Sequence, residues 1–132
     1  MHGLDAWADA VRAAGGVDVV VDPVGGAAFE QSVRCLAPAG RIVTVGFTSG
    51  TIPTVAADRL LHGNVAAVGC AWRELLDVVP GLFAETARRL DRLVDAGLRP
   101  LVDATFDLAD GPTALRRIED RAAVGKIVLT TR

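Results

Sequence analysis

Three short stretches carry the residue types from which a ligand site can be built: Pro23-Val24-Gly25-Gly26, Val45-Gly46-Phe47-Thr48-Ser49-Gly50 and Gly69-Cys70. Each follows or closes an apolar, strand-like run, and each supplies glycine, which lets backbone approach a ligand closely. In an open α/β sheet, ligands bind beyond the carboxyl ends of the strands, so turns of this kind mark the face where chemistry is held. Residues suited to covalent or metal chemistry are sparse by contrast. Cys35 and Cys70 form no CxxC and no metal spacing, and read as small buried hydrophobes. His2 reads as a mobile terminal residue and His62 as the end of a short helix. No zinc site can be assembled from that inventory.

The elements that must position these stretches follow from the hydrophobic pattern. Residues 5–14 form a short amphipathic helix (Leu4, Trp7, Ala8, Val11), which Gly15-Gly16 ends. The run VDVVVD, 17–22, is the pattern of a strand buried on both faces of a parallel sheet. Phe29, Val33 and Leu36 recur at helical spacing over 27–36, Pro38-Ala39-Gly40 stops that helix, and 41–45 is the next buried strand. Residues 52–55 are extended, 56–61 form a short helix, and 64–71 give a third strand. A long helix over about 80–96 places Leu82, Phe83, Thr86, Leu90, Leu93 and Val94 on one face, with Pro80 in its first turn and Gly97 at its end. Arg88, Arg89 and Arg92 read as its solvated face, with Glu85 and Arg89 an i,i+4 pair. The last third is a strand over 101–106, a helix from Pro112 to Ala122 and a strand over 126–130. Asp110 is the expected N-cap of that helix, and Leu115, Ile118 and Ala122 its buried stripe.

This order predicts an α/β fold: the C-terminal half of a doubly wound, Rossmann-type parallel sheet, followed by a strand-helix-strand segment. The pyrophosphate-binding glycine fingerprint belongs on the first βα turn of such a fold, and only about 16 residues precede Val17. The chain therefore reads as a fragment of an enzyme. Composition agrees with one soluble domain: 132 residues, 51% hydrophobic, net charge −2. Arginines are interspersed without a basic stripe, which argues against nucleic acid, and no apolar run approaches the roughly 18 residues needed to span a membrane. A cytoplasmic setting is expected.

The chain resembles the C-terminal portion of medium-chain, zinc-type-superfamily dehydrogenases, and most closely the zinc-free NADPH:quinone oxidoreductases. The residues that carry the resemblance are VDVVVDPVGG (17–26), Pro38, GRIVTVGFTSG (40–50), Pro53, Leu60-Leu61, Gly69, Gly97 with Pro100, Phe106 to Leu108, and VGKIVL (124–129). They fall in order over almost the whole chain. The resemblance implies a cofactor, NADPH or NADH, and no zinc. It places Val24 and Gly25 on the adenosine side and Val45, Gly46 and Phe47 beside the nicotinamide. Thr48 and Ser49 would add hydroxyl donors there, Gly69 and Cys70 would approach the same ring, and Lys126 would stand near the pyrophosphate. Residues 1–100 would be the partial dinucleotide domain, holding its strands 4 to 6, and 101–132 a segment that packs on a catalytic domain absent from this chain.

Two consequences follow for partners. The strand 17–22 becomes an exposed hydrophobic edge, and the strand 64–71 corresponds to the edge through which relatives form homodimers. The function implied is the cofactor-binding portion of a quinone or enone reductase, inactive alone. Two other readings stand beside it. One is a binding or oligomerisation module, or one part of a split enzyme completed by a separate chain. The other is a methyltransferase-like domain, because LAPAGRIVTVG (36–46) resembles the strand and loop after a methyltransferase's cofactor site.

Overall fold

The computed structural model describes residues 3–131, with side chains from residue 6 onward, so the expectations for His2 and the Leu4 side chain lie outside the described residues. Contacts divide the chain into two compact units, the first ending at Pro80 and the second starting at Gly81.

The first unit runs α1 (Gly3–Ala13), β1 (Val17–Asp22), α2 (Gly26–Arg34), β2 (Leu36–Thr44), α3 (Ala57–Gly63), β3 (Ala66–Gly69) and α4 (Trp72–Val78). Its strands form one parallel sheet in the order β1-β2-β3. Parallel neighbours need a crossover between them, and the segments carrying α2 and α3 supply it. This is the expected half-sheet, with β1 and β3 as its two edges. Phe29 and Val33, four residues apart on one face of α2, pack on Ile42 at the centre of β2, with Val20, Leu36 and Val55 around them. Fully burying a side chain such as Ile42 is worth about 1.5–3 kcal/mol.

Several expectations are corrected here. The strand β1 is not buried on both faces: Val20 joins the core, while Val21, on the opposite face by the two-residue period, is 64% exposed. The helix α2 stops at Arg34, and Pro38-Ala39-Gly40 lies inside β2 instead of ending the helix. There β1 advances from Val17 to Val19 while β2 advances from Leu36 to Arg41, a bulge that puts Ala39 at φ 66°. Gly40 is required in it, because a Cβ would lie 2.7 Å from the Ala37 carbonyl oxygen. The third strand is shorter than expected, since Asn64 takes the left-handed conformation that closes α3. Helix α4 was not anticipated, although Trp72, Leu75 and Val78 are spaced for one. Of the cysteines, Cys35 is buried with its Sγ 3.5 Å from the Ala8 carbonyl oxygen, whereas Cys70 is half-buried. Burial pushes the Cys35 thiol above its ordinary 9.0.

The second unit holds α5 (Leu82–Asp95), β4 (Val102–Asp107), a 3-10 turn over 108–110, α6 (Gly111–Glu119) and β5 (Lys126–Thr130). Strands β4 and β5 pair in parallel across α6. Pro80 precedes α5 instead of occupying its first turn, because left-handed Gly81 stands at the N-cap. On α5 the expected pair forms, with Arg89 and Arg88 donating to Glu85 at 2.8 and 2.7 Å, an exposed network of small energetic weight. Its apolar stripe is open, with Phe83 67% exposed. The stripe expected on α6 is also open, with Leu115 62% exposed. Helix α6 ends at Glu119, before Ala122, and turns another face inward. Ala114 is buried there, and Arg117 donates to Asp103 of β4 at 2.6 Å. Asp110 stands at the N-cap without a side-chain capping bond.

Candidate functional site

The carboxyl ends of β1 and β2 continue as a hydrogen-bonded ladder past their last paired residues. The Asp22 carbonyl accepts the Val45 N–H at 2.9 Å, Pro23 accepts Thr48 N–H at 3.0 Å, and Val24 accepts Ser49 N–H at 3.0 Å. Gly26 N–H donates to Thr51 at 3.1 Å, so the loop 47–51 hangs on the turn 23–26. The turn is held from within by the Asp22 carboxylate, which accepts N–H groups of Val24 at 2.9 Å and Gly25 at 3.0 Å. Gly25, with φ 73°, is glycine for internal reasons, since a Cβ there would sit 2.8 Å from the Thr51 carbonyl oxygen.

Beside this ladder a cleft of about 610 Å³ lies at the paired carboxyl ends of β2 and β3. Thr44, Val45, Gly46 and Phe47 line it from β2 and the chain that follows, and Ala67, Gly69, Cys70 and Ala71 from the neighbouring β3 and its exit. Phe29, Pro53 and Val55 complete the lining. Cys70 is the one titratable side chain among these lining residues, so the cleft offers chiefly shape, apolar surface and main-chain groups.

The glycines of the cleft differ from Gly25. Neither Gly46 nor Gly69 has a positive φ; a Cβ on Gly69 meets nothing within 4 Å, and one on Gly46 comes no closer than 3.5 Å to Pro23 oxygen. Nothing within the chain requires glycine at either position. Their missing side chains leave volume that the fold itself does not use.

Of the residues expected to bind, Val45, Gly46, Phe47, Gly69 and Cys70 are brought together at one cleft. Val24 and Gly25 lie in the adjoining turn, and Thr48 and Ser49 in the loop it carries. The Ser49 hydroxyl is engaged locally, accepting Thr51 N–H at 3.2 Å and donating to Thr51 carbonyl oxygen at 3.4 Å. Lys126 begins β5 in the second unit, exposed, its N–H bonded to Leu101 at 2.8 Å. Sequence reasoning missed Phe29, Pro53 and Val55 as lining residues: Phe29 reads as part of a helix's apolar spacing, 52–55 as an extended segment, and Pro53 as one of the residues that carry the family resemblance. It also missed Asp22, whose signal was an acidic residue closing an apolar strand just before a glycine turn.

A parallel α/β half-sheet with a ligand-sized cleft at its carboxyl edge falls in the doubly wound class. The chain belongs to the zinc-binding dehydrogenase family, whose pattern matches residues 3–129 and leaves the methyltransferase-like reading almost no part of the chain. It is 37% identical over 117 residues to quinone oxidoreductase-like protein 2 of Bos taurus, covering 88% of this chain and 34% of that protein. The chain thus spans about a third of the length of such relatives. Among solved structures it matches a probable oxidoreductase from Mycobacterium abscessus with a TM-score of 0.75 at 37% identity, over 99% of this chain and 38% of that one. It also matches a mycobacterial protein complexed with NADPH, with a TM-score of 0.78 at 28% identity, over 99% and 41% of the two chains. The family's name implies zinc, but among the described residues no three His, Cys, Asp or Glu side chains gather into a possible metal site.

Proposed function

We propose that this chain is the C-terminal, cofactor-binding portion of an NAD(P)H-dependent oxidoreductase of the quinone or enone reductase kind, without turnover on its own. The observation that carries the reading is the pair Gly46 and Gly69, glycines that the fold does not require, facing one apolar cleft at the carboxyl edge of the sheet. A dinucleotide fits that edge, and when bound it supplies the hydride for an electron-poor acceptor. The chain's part is positioning. Val45, Gly46 and Phe47 bring main-chain groups to the nicotinamide side, and Gly69 and Cys70 approach the same ring from the third strand, in an apolar lining. Val24 and Gly25 serve the adenosine side and Thr48 and Ser49 add hydroxyl donors; for Lys126, in the second unit, the pyrophosphate role rests on the family resemblance alone. On this reading residues 1–100 are the dinucleotide portion, and 101–132 pack on a catalytic domain supplied by more of a longer chain or by a separate one.

Two further proposals accompany it. Strand β3 is a bare sheet edge with Val68 exposed, which supports homodimerisation there; a monomer by light scattering would refute it. The unpaired thiols of Cys35 and Cys70 suit a reducing cytoplasm. Among the described residues no helix is long and apolar enough to cross a membrane.

Calorimetric titration with NADPH and then NADH tests the central reading. Binding in the micromolar range, about −8 kcal/mol, is expected, and Gly69→Val should abolish it without lowering the melting temperature. Absence of heat with the unaltered chain at millimolar cofactor would overturn it.

A further inference from the structure

We infer that Asp22 is a positioning residue for the cofactor cleft, acting through the turn 23–25 on the loop 47–51. The inference deepens the cofactor reading above and rests on it. Asp22 is 4% exposed, and its carboxylate meets main-chain N–H groups: Val24 at 2.9 Å and Gly25 at 3.0 and 3.2 Å. Contacts between an ionised carboxylate and N–H groups are about twice as strong as neutral hydrogen bonds, and a buried donor left without its partner is costly.

The turn fixed in this way presents the acceptors that the next loop needs. Pro23 and Val24 carbonyls receive Thr48 and Ser49, and Gly50 N–H folds back onto the Phe47 carbonyl at 2.9 Å. Phe47 opens that loop and lines the cleft. The Asp22 main-chain carbonyl, which no substitution of its side chain removes, accepts the N–H of Val45, another cleft residue. One side chain at the end of β1 thus acts through its turn on the loop that Phe47 opens, although it does not line the cleft itself. Its removal strands the N–H groups of Val24 and Gly25, relaxes the turn, and withdraws the acceptors of Thr48 and Ser49.

Amide hydrogen exchange combined with NADPH titration tests this on the full chain, using Asp22→Ala and Asp22→Asn. In Asp22→Ala, exchange at Thr48 and Ser49, whose N–H groups do not touch the carboxylate, should rise about tenfold or more, and NADPH affinity should fall about tenfold. Ile42 and Val43 in β2 should exchange as before. Asp22→Asn keeps one acceptor oxygen and should fall between. A local turn cap would expose Val24 and Gly25 alone; continued protection of Thr48 and Ser49 would overturn the inference, as would unchanged NADPH affinity in a variant whose loop exchanges faster. If Asp22→Ala does not fold, Asp22→Asn carries the same readouts. If the unaltered chain gives no NADPH heat, the cofactor reading falls, and exchange at Thr48 and Ser49 still decides whether Asp22 controls the loop.

Discussion

The first unit closes a core and the second does not. Ala8, Phe29, Val33, Cys35 and Ile42 are buried in the first, while Ala114 is the buried apolar residue described in the second. Both have amphipathic helices of ordinary quality, so the difference lies in what their apolar faces meet. In the first, α2 lies on a three-stranded sheet whose central strand is covered. In the second, α6 turns Ala114 and Arg117 inward beside the two-stranded ribbon of β4 and β5, and the apolar stripes of α5 and α6 stay open. The cleft lies where the core is closed, with Gly46 and Gly69 at the ends of strands paired in the sheet.

The widest test of that contrast is a pair of truncations. Ile42→Ala should cost about 2–5 kcal/mol, whereas Leu115→Ala on α6 should stay within about 0.5 kcal/mol, both read by denaturant unfolding. A cost above 2 kcal/mol for Leu115→Ala would show that the second unit is closed in solution, by a partner or a second copy.

Glycines sharpen the comparison next. Gly25→Ala forces a side chain into a conformation reserved for glycine and against the Thr51 carbonyl, at about 1–3 kcal/mol. Gly69→Ala should leave the melting temperature within about 2 °C and instead weaken NADPH binding. Equal stability of the two variants would remove the distinction between structural and cleft glycines.

A smaller effect is expected in base. Burial keeps the Cys35 thiol protonated in the folded chain beyond the pH at which the unfolded chain releases that proton. Its contribution is fully present below pH 9.0 and is lost as pH rises from there through the folded value. Melting followed from pH 8 to 10 should show this decline, and Cys35→Ala should flatten it. The smallest effect belongs to α5. Hydrogen bonds from Arg88 and Arg89 hold the Glu85 carboxyl below its ordinary 4.5, so its support is present above pH 4.5 and lost as pH falls below it. Helical circular dichroism of Glu85→Gln should lose that acid sensitivity.

The β-branched run of β1, the GRIVTVG of β2 and the glycine turns after them were legible because strand period and turn chemistry are local. The meeting of Val45–Phe47 with Gly69 and Cys70 was legible because parallel topology brings strand ends to one edge. Burial was not: Val21, Phe83 and Leu115 carry the same hydrophobic signal as Ile42, and only tertiary neighbours decide which is covered. Nor was the part of Asp22, whose carboxylate bonds to the N–H groups of its own turn, a contact that no residue spacing announces. The helix α4 was hidden by a short apolar segment between a strand and Pro80, where periodicity had little length to act.

The bulge in β2 separates two kinds of freedom along the sheet. Between Leu36 and Arg41 that strand carries surplus backbone against β1, and Pro38 and Ala39 at its crest are exposed. From Arg41 to Thr44 every position is locked between β1 and β3. An inserted or deleted residue at the crest can be absorbed at the amino end of the sheet, at the expense of the Ala39 bond to Asn64. The same change between Arg41 and Phe47 would turn each following side chain to the opposite face and empty the cleft wall. Chain-length variation among proteins built on this plan should therefore collect at the crest, leaving the spacing from Arg41 to Phe47 constant.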